Sequence, residues 1–485
     1  MQRARDAARR IFEAGVRAAD PYACVEKSIV FNPHTLELVL GPPSSPASCS
    51  SIPLSAVSEI LLVGAGKGAC PMCAAAGGIL SSAAEAAGIP FSGVAVTKTG
   101  HFAGTSWEAD PGLVGVDVTE ASHPVLDESS LAAGRAAKSA LAAASSSALI
   151  VCLLSGGASS LLEAPVEGIS LDHLQASSAA LLACGASIDE LNAVRSRLSS
   201  VKGGKLASSI VADNIQLYTL ALSDVVGDSL AVIGSGPTYI PPEGGHNTVS
   251  AWGVVEKYAL HDVLPQQVVD LLAEEEEEED GNGQEGNGPA KTGAWVVGSN
   301  SLALEAAAEE AAALGYAPLI LSSTVEGEAA DVAKVFASIG KEMVLKNRPI
   351  PPPAVVLAGG ETTVTLGPEF DPETSSGGRN QELALAAALV LDDPDLASPS
   401  APPLVLLAGG TDGTDGPTDA AGGIVDPHTV SAGNARLGEG AARAHLRSHN
   451  AYAYLEAADC LLKTGPTGTN VMDLTLVVVG VPPES

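Results

Sequence analysis

The sequence predicts an α/β protein in two domains. Three observations carry that expectation: short apolar runs recur along the 485-residue chain, glycine- or serine-rich turns follow them, and alanine-rich stretches of helical character come next. Alternation of this kind is the signature of strands and helices packed around a mostly parallel sheet. Composition agrees, since 46% of residues are hydrophobic but only 3% aromatic, which suits small-residue helices lying close to a sheet. Such a length and apolar content supply ample core for two or three domains.

Taken in order, Met1 to Ala19 carries five arginines but also Asp6, Glu13 and an apolar spacing that predicts a domain-opening helix rather than a transit peptide. Six runs then predict the strands of a first domain: Ile60–Val63, Gly93–Val96, Leu149–Leu154, Leu217–Leu222, Ala294–Val297 and Ala317–Leu321. The segment from Ala273 to Lys291 is acidic, then rich in Gly, Asn and Gln, and reads as a mobile, disordered insertion. A stiff passage, Asn347-Arg-Pro-Ile-Pro-Pro-Pro-Ala354, reads as a domain joint. Expected domains are therefore 1–346 and 347–485, the second with strands at Val355–Ala358, Leu404–Ala408 and Leu474–Val479.

The net charge of −32 argues against nucleic-acid binding, because a phosphate backbone would be repelled. An anionic ligand would need local basic groups, which singles out Lys and Arg in glycine-rich turns. Seven scattered cysteines suggest no disulfide framework and a reducing compartment. Cys70-Pro-Met-Cys73 is a C-x-x-C, read as small apolar filler in preference to a redox pair. No apolar run is long enough for a membrane-spanning helix.

Several turns at strand ends could carry chemistry. Gly64-Ala-Gly66-Lys67-Gly half-matches the dinucleotide fingerprint, but its third glycine is misplaced and no acidic residue follows the next strand at Val96-Thr-Lys98. Ser155-Gly156-Gly157-Ala-Ser159 is either an anion nest or a helix cap. Arg195, Arg197, Lys202 and Lys205 cluster around Lys-Gly-Gly-Lys, which is not a Walker A loop and would ordinarily be a solvated face. Asp224 follows an apolar run and is a base, a metal ligand or a turn residue. Ala358-Gly-Gly-Glu361 again ends a strand with glycines and a carboxylate. Arg379 opens a helix, where a cation opposes the macrodipole, so an anion-facing role is the more natural one. Asp412, Asp415 and Asp419 crowd the glycine-rich loop 409–423, either as a solvated acidic turn or as oxygen ligands for a hard cation.

The series VGAGKGA, SHPVLDESS, LLSGGASSLL, LNAVRSRLSSVKGGKLA, LSDVVGDSLAVIGSGPT, VVGSN, VEGEA, LAGGETTV, GGRNQELALA, GGTDGTDGPTDAAG and TGPTGTN resembles the type-2 glycerate kinase, or MOFRL, family over nearly the whole chain. Ala158, Leu126 and Met472 depart from the family pattern. The resemblance implies a two-domain α/β enzyme with a Rossmann-like six-stranded sheet, a smaller C-terminal α/β domain and an active site in the cleft between them. It implies ATP-dependent phosphorylation of D-glycerate at the 2-hydroxyl, with Lys67, Asp224 and Arg379 catalytic. Gly64, Gly66, Ser155, Gly156, Gly157, Ser159 and Lys202 would bind the cofactor ATP, and Asp412 and Asp415 would hold Mg²⁺. Small-molecule partners are implied, with no nucleic acid or membrane, a homodimer left open, and a cytoplasmic location with organelle targeting open. An NADP-dependent hydroxypyruvate reductase is the alternative, and a catalytically dead metabolite-binding protein is a third reading.

Overall fold

The computed structural model describes residues 1–210, 214–240, 249–279 and 291–483. A small antiparallel sheet, β1 (Ile29–Asn32), β2 (Glu37–Leu40) and β3 (Ser50–Pro53), comes first and was not anticipated from the sequence. A six-stranded sheet follows, made of β4 (Ile60–Ala65), β5 (Phe91–Lys98), β6 (Val116–Ala121), β7 (Leu149–Leu154), β8 (Gln216–Leu222) and β9 (Lys291–Gly298), in the order β6-β5-β4-β7-β8-β9. Its pairings from β6 through β8 are all parallel. Every residue of β4, β7 and β8 is buried, as expected of strands covered on both faces. This order matches the doubly wound dinucleotide-binding arrangement, in which the chain leaves neighbouring central strands in opposite directions. Here that switch point lies between β4 and β7.

Six strands were expected in this sheet, but one of them is different. Val116–Ala121 supplies the edge strand β6, whose sequence VDVTEA is half-exposed and polar, so it lacks the continuous apolar run that marks its neighbours. Ala317–Leu321 belongs to the other large sheet. That sheet comprises β10 (Ala317–Val325), β11 (Ala354–Gly360), β12 (Leu404–Gly410), β13 (Gly422–Val425), β14 (Leu461–Leu462) and β15 (Asp473–Val479), in the order β10-β11-β15-β12-β13-β14. Only β10 and β11 pair in parallel; the remaining pairs are antiparallel.

The chain forms two compact units, one of residues 21–223 and 228–297, the other of 1–20, 224–227 and 298–485. Residues 298–346, expected in the first domain, thus pack with the second sheet because β10 is hydrogen-bonded to β11. The N-terminal helix Gln2–Ala18 forms as expected, and its buried stripe Ala4, Ala8, Ile11, Phe12 and Gly15 belongs to this same unit. The acidic insertion expected at 273–291 is helical in its first part, since the helix Gln266–Glu279 runs through the glutamates; residues 280–290 lie outside the described residues. Among the described residues no helix is long and apolar enough to cross a membrane.

Register in the second sheet fixes one point of particular use. Asp473, the first residue of central β15, is the register partner of both Gly360, the last of β11, and Gly410, the last of β12. The loops leaving β11 and β12 therefore flank a single buried carboxylate.

Candidate active site

In the first unit, the turn after β4 and the turn after β7 are stitched together at the switch point. The Lys67 N–H donates to the Gly156 carbonyl at 2.9 Å, and the Gly68 N–H donates to Ser155 Oγ at 3.0 Å. The Gly66 N–H is likewise taken, by the Val96 carbonyl at 3.1 Å. Gly66 has φ +127°, and a Cβ there would lie 2.2 Å from Ser155 Oγ, so only glycine allows the turns to meet. This corrects the expectation that Gly64 and Gly66 cradle a phosphate: Gly64 sits within β4 against Cys73, and the amides of the Gly66–Gly68 turn are spent on the fold.

The side chains that remain are cationic. Among the described residues neither Lys67 nor Lys98 forms an ion pair, although the chain as a whole is strongly acidic. His101 Nδ1 lies 3.2 Å from the Lys67 carbonyl oxygen. A Cβ on Gly157, which has φ +83°, would fall 3.0 Å from His123 Nε2 and 3.3 Å from Lys67 Cγ, so imidazole, lysine and glycine turn share one surface. Burial, together with Lys67, Lys98 and His101, pulls the His123 pKa down to about 4, so this imidazole is neutral at pH 7. Gly156 and Gly157 have N–H groups that no described protein group accepts. Ser159 lies in the single helical turn Ala158–Leu161 that begins here.

Lys202 takes no part in this surface. It is 2% exposed, and its ammonium is bonded to the buried Glu163 carboxylate, which also accepts from Ser199 Oγ at 2.5 Å. The expected nucleotide contact at Lys202 is thereby corrected to a buried ion pair. The C-x-x-C pair is inert for a similar reason. Cys70 and Cys73 are fully buried in the helix Ala69–Ala87; burial pushes the Cys70 thiol up to about 11 and raises Cys73 well above its usual value.

In the second unit the organising residue is Arg379, the first residue of the helix Arg379–Leu391. Its Nε and Nη2 donate to Asp473 at 2.6 and 3.0 Å, and Nη1 lies 2.9 Å from Glu361 Oε1. Burial opposes the guanidinium charge, but the bonds to Asp473 and the charge of Glu361 outweigh it and raise its pKa. Burial also raises the Glu361 carboxyl, against the pull of Arg379 and with the help of Asp473, Asp224 and Asp412. Asp224, half-buried beyond β8, lies in the same unit as Arg379, and the charges of both act on Glu361.

The three loop aspartates separate. Asp415 is buried, and its oxygens accept from the N–H groups of Asn380 at 3.1 Å and Gln381 at 2.8 Å. It caps the helix that Arg379 opens, which offsets the unfavourable cation there. Burial lifts its pKa to about 6 against those two bonds. With both oxygens turned to N–H donors, Asp415 is unsuited to hold Mg²⁺, a correction to its expected role. Asp419 is an exposed partner of Lys463 and the Tyr452 hydroxyl. Asp412 accepts from the Thr414 N–H at 3.0 Å through one oxygen. Among the described residues no group of three or more His, Cys, Asp or Glu is arranged to hold a metal. Magnesium bound with a nucleotide needs fewer, one or two carboxylates completed by phosphate and water. Asp412 and Glu361 each keep one carboxylate oxygen that no described group bonds.

Sequence reasoning missed His101 and His123, gave Lys98, Asn380 and Asp473 no role, and noted Glu361 only as a carboxylate at a strand end. The Glu361 motif was visible as a strand ending in Gly-Gly-Glu; Asp473 offered no signal beyond one acid at the head of an apolar run.

A doubly wound sheet with a cationic switch point, joined in one chain to a mixed sheet whose strand ends hold an arginine among carboxylates, defines a two-unit α/β protein. Residues 7–273 match a family model described as a domain of unknown function, DUF4147, and residues 354–473 match that of the MOFRL family. A glycerate 2-kinase from Pyrococcus horikoshii is 36% identical over 479 residues, covering 97% of this chain and 96% of that one. A putative hydroxypyruvate reductase from Agrobacterium vitis is 38% identical over 427 residues, covering 87% and 100%. The crystal structure of glycerate kinase from Thermotoga maritima superposes with a TM-score of 0.78 at 33% identity, covering 98% and 99%. The chain belongs to the glycerate 2-kinase family, with its MOFRL region at the C-terminal end.

Proposed function

We propose that this protein is a glycerate 2-kinase that transfers the γ-phosphoryl group of ATP to the 2-hydroxyl of D-glycerate, giving 2-phosphoglycerate and ADP. The observation that carries this reading is Lys67, without an ion-pair partner among the described residues, beside Lys98, His101 and His123 at the switch point of a chain whose net charge is −32. A half-buried pair of lysines, left without counterions among the described residues of so acidic a protein, is suited to an anion that arrives from solution.

In the reaction the 2-hydroxyl oxygen bonds to the γ-phosphorus as the bond to the β–γ bridging oxygen breaks. Asp224 orients that hydroxyl and takes its proton. Lys67 and Arg379 offset charge on the transferring group or on the substrate carboxylate. Gly156, Gly157 and Ser159, in the unit of Lys67, supply donors to the anion that this lysine meets. Asp412 and Glu361 would hold Mg²⁺, which when bound shields the phosphate oxygens.

The reductase reading draws on the strand order and on the name of the Agrobacterium vitis relative. It is weakened by the Gly66–Gly68 turn, whose three amides are already bonded within the protein and so cannot cradle a pyrophosphate. Incubation with ATP, Mg²⁺ and D-glycerate, coupled through enolase without phosphoglycerate mutase, tests the proposal. Signal without the mutase is expected; dependence on it would mean phosphorylation at the 3-position. Loss of NADPH absorbance with hydroxypyruvate would establish the reductase instead.

A further inference from the structure

Arg379 is a long side chain at the first position of a helix, and its guanidinium is directed by Asp473, which Asn380 of the same helix and Asp415 support. Asp473 grips the guanidinium edge through Nε and Nη2. Asp473 in turn accepts at Oδ1 from the Asn380 side-chain amide, at 2.9 Å. That amide also reaches Asp415 at 3.3 Å, and Asp415 holds the helix start by two backbone N–H groups. Asp473 itself cannot drift, because it is the register partner of Gly360 and Gly410 at the head of the central strand and its side chain is 8% exposed. Three of the five guanidinium N–H groups are taken by Asp473 and Glu361, which among the described residues leaves two for a ligand.

We propose that Asp473 is a positioning residue for the phosphoryl transfer: it clamps Arg379 side-on, with Asn380 and Asp415 as its backing, so that the two remaining N–H groups are presented in one fixed direction. The inference rests on the kinase reading for its effect on rate, but the clamp itself does not. A side-on carboxylate fixes both the plane and the rotation of a guanidinium, which a single contact with Glu361 would leave free. Misplacing such a group by about 1 Å costs about 10²-fold in rate.

Asp473→Asn should lower kcat about 10²-fold with little change in KM for D-glycerate. The same substitution in an Arg379→Ala background should cost nothing further, because the group it positions is gone. Equal losses in both backgrounds would overturn the proposal. Should Asp473→Asn not fold, Asn380→Ser removes only the backing amide, and a loss of about 10-fold is expected, again absent in the Arg379→Ala background. A resolved Arg379 Nε–H resonance in arginine-labelled protein gives a readout independent of turnover. Loss of that signal in Asp473→Asn or Asn380→Ser supports the clamp even if the wild-type protein shows no kinase activity, which would sink the kinase reading alone. An unchanged resonance in both variants would sink the clamp.

Discussion

The two polar clusters differ in charge and in how they are built. At the switch point of the first sheet, two lysines that form no ion pair among the described residues and a neutral His123 stand beside amides of a glycine turn. At the strand ends of the second sheet, one arginine stands among Glu361, Asp473, Asp415, Asp224 and Asp412. The first cluster suits a bare anion. The second is locally acidic despite its arginine, so a phosphate approaching it is favoured only when it brings its own cation. Under the kinase reading proposed above, magnesium would then enter this cluster together with the nucleotide.

The largest expected effects come from removing the central cation of each cluster. Lys67→Met and Arg379→Ala should each lower kcat/KM about 10³-fold. They should differ in their response to magnesium. Taking a positive charge out of the acidic cluster strengthens its hold on a cation, so Arg379→Ala should need less Mg²⁺ for half-maximal rate, whereas Lys67→Met should leave that midpoint unchanged. Near-normal turnover in both folded variants would break the comparison and the mechanism with it. Identical magnesium curves would erase the distinction between the clusters while leaving the mechanism standing.

Next in size is a contrast between two lysines of the same unit. Lys202 is locked onto Glu163 in the interior, so Lys202→Met strands a buried carboxylate and should cost about 3 kcal/mol of stability. Lys67→Met removes an unpaired charge and should leave the urea midpoint almost unmoved. Reversal of these two outcomes would mean that the structural lysine and the one proposed to meet a ligand have been exchanged.

That pair also shows what the sequence could and could not reveal. Buried strands such as β4, β7 and β12 were legible because a continuous apolar run that stops at a glycine turn has the length and flanks of a strand covered on both faces. Lys67 was singled out because it lies between glycines at the end of such a run. Lys202 also adjoins glycines, but its fate depends on Glu163, a partner that only the folded chain brings near. Strand β6 was missed because an edge strand tolerates polar residues, and β10 was placed in the wrong sheet because local pattern carries no information about which strand will pair with it. The glutamate run was read as unstructured on composition alone, yet glutamate is a good helix former and the apolar residues before it supply a buried face. Asp473 was invisible for a different reason: its role comes from register with two glycine-ended strands, a property of the sheet.

The smallest effect in turnover sharpens the acidic side of the comparison. Asp415 has its pKa raised by burial to about 6, from an ordinary value of 3.8, even though two backbone N–H groups favour its charged form. The native state therefore holds a proton that the unfolded chain has released between about pH 4 and 6. Stability from this group is fully present below pH 4 and is lost as pH rises through 6, by roughly 3 kcal/mol at most. Asp415→Asn cannot titrate, so the difference in unfolding free energy between variant and wild type should change by up to about that amount across this window and then level off. A difference that stays flat from pH 4 to 7 would mean that the helix cap outweighs burial and that Asp415 is fully ionised throughout, which would make the surroundings of Arg379 more acidic still and its demand for an accompanying cation greater.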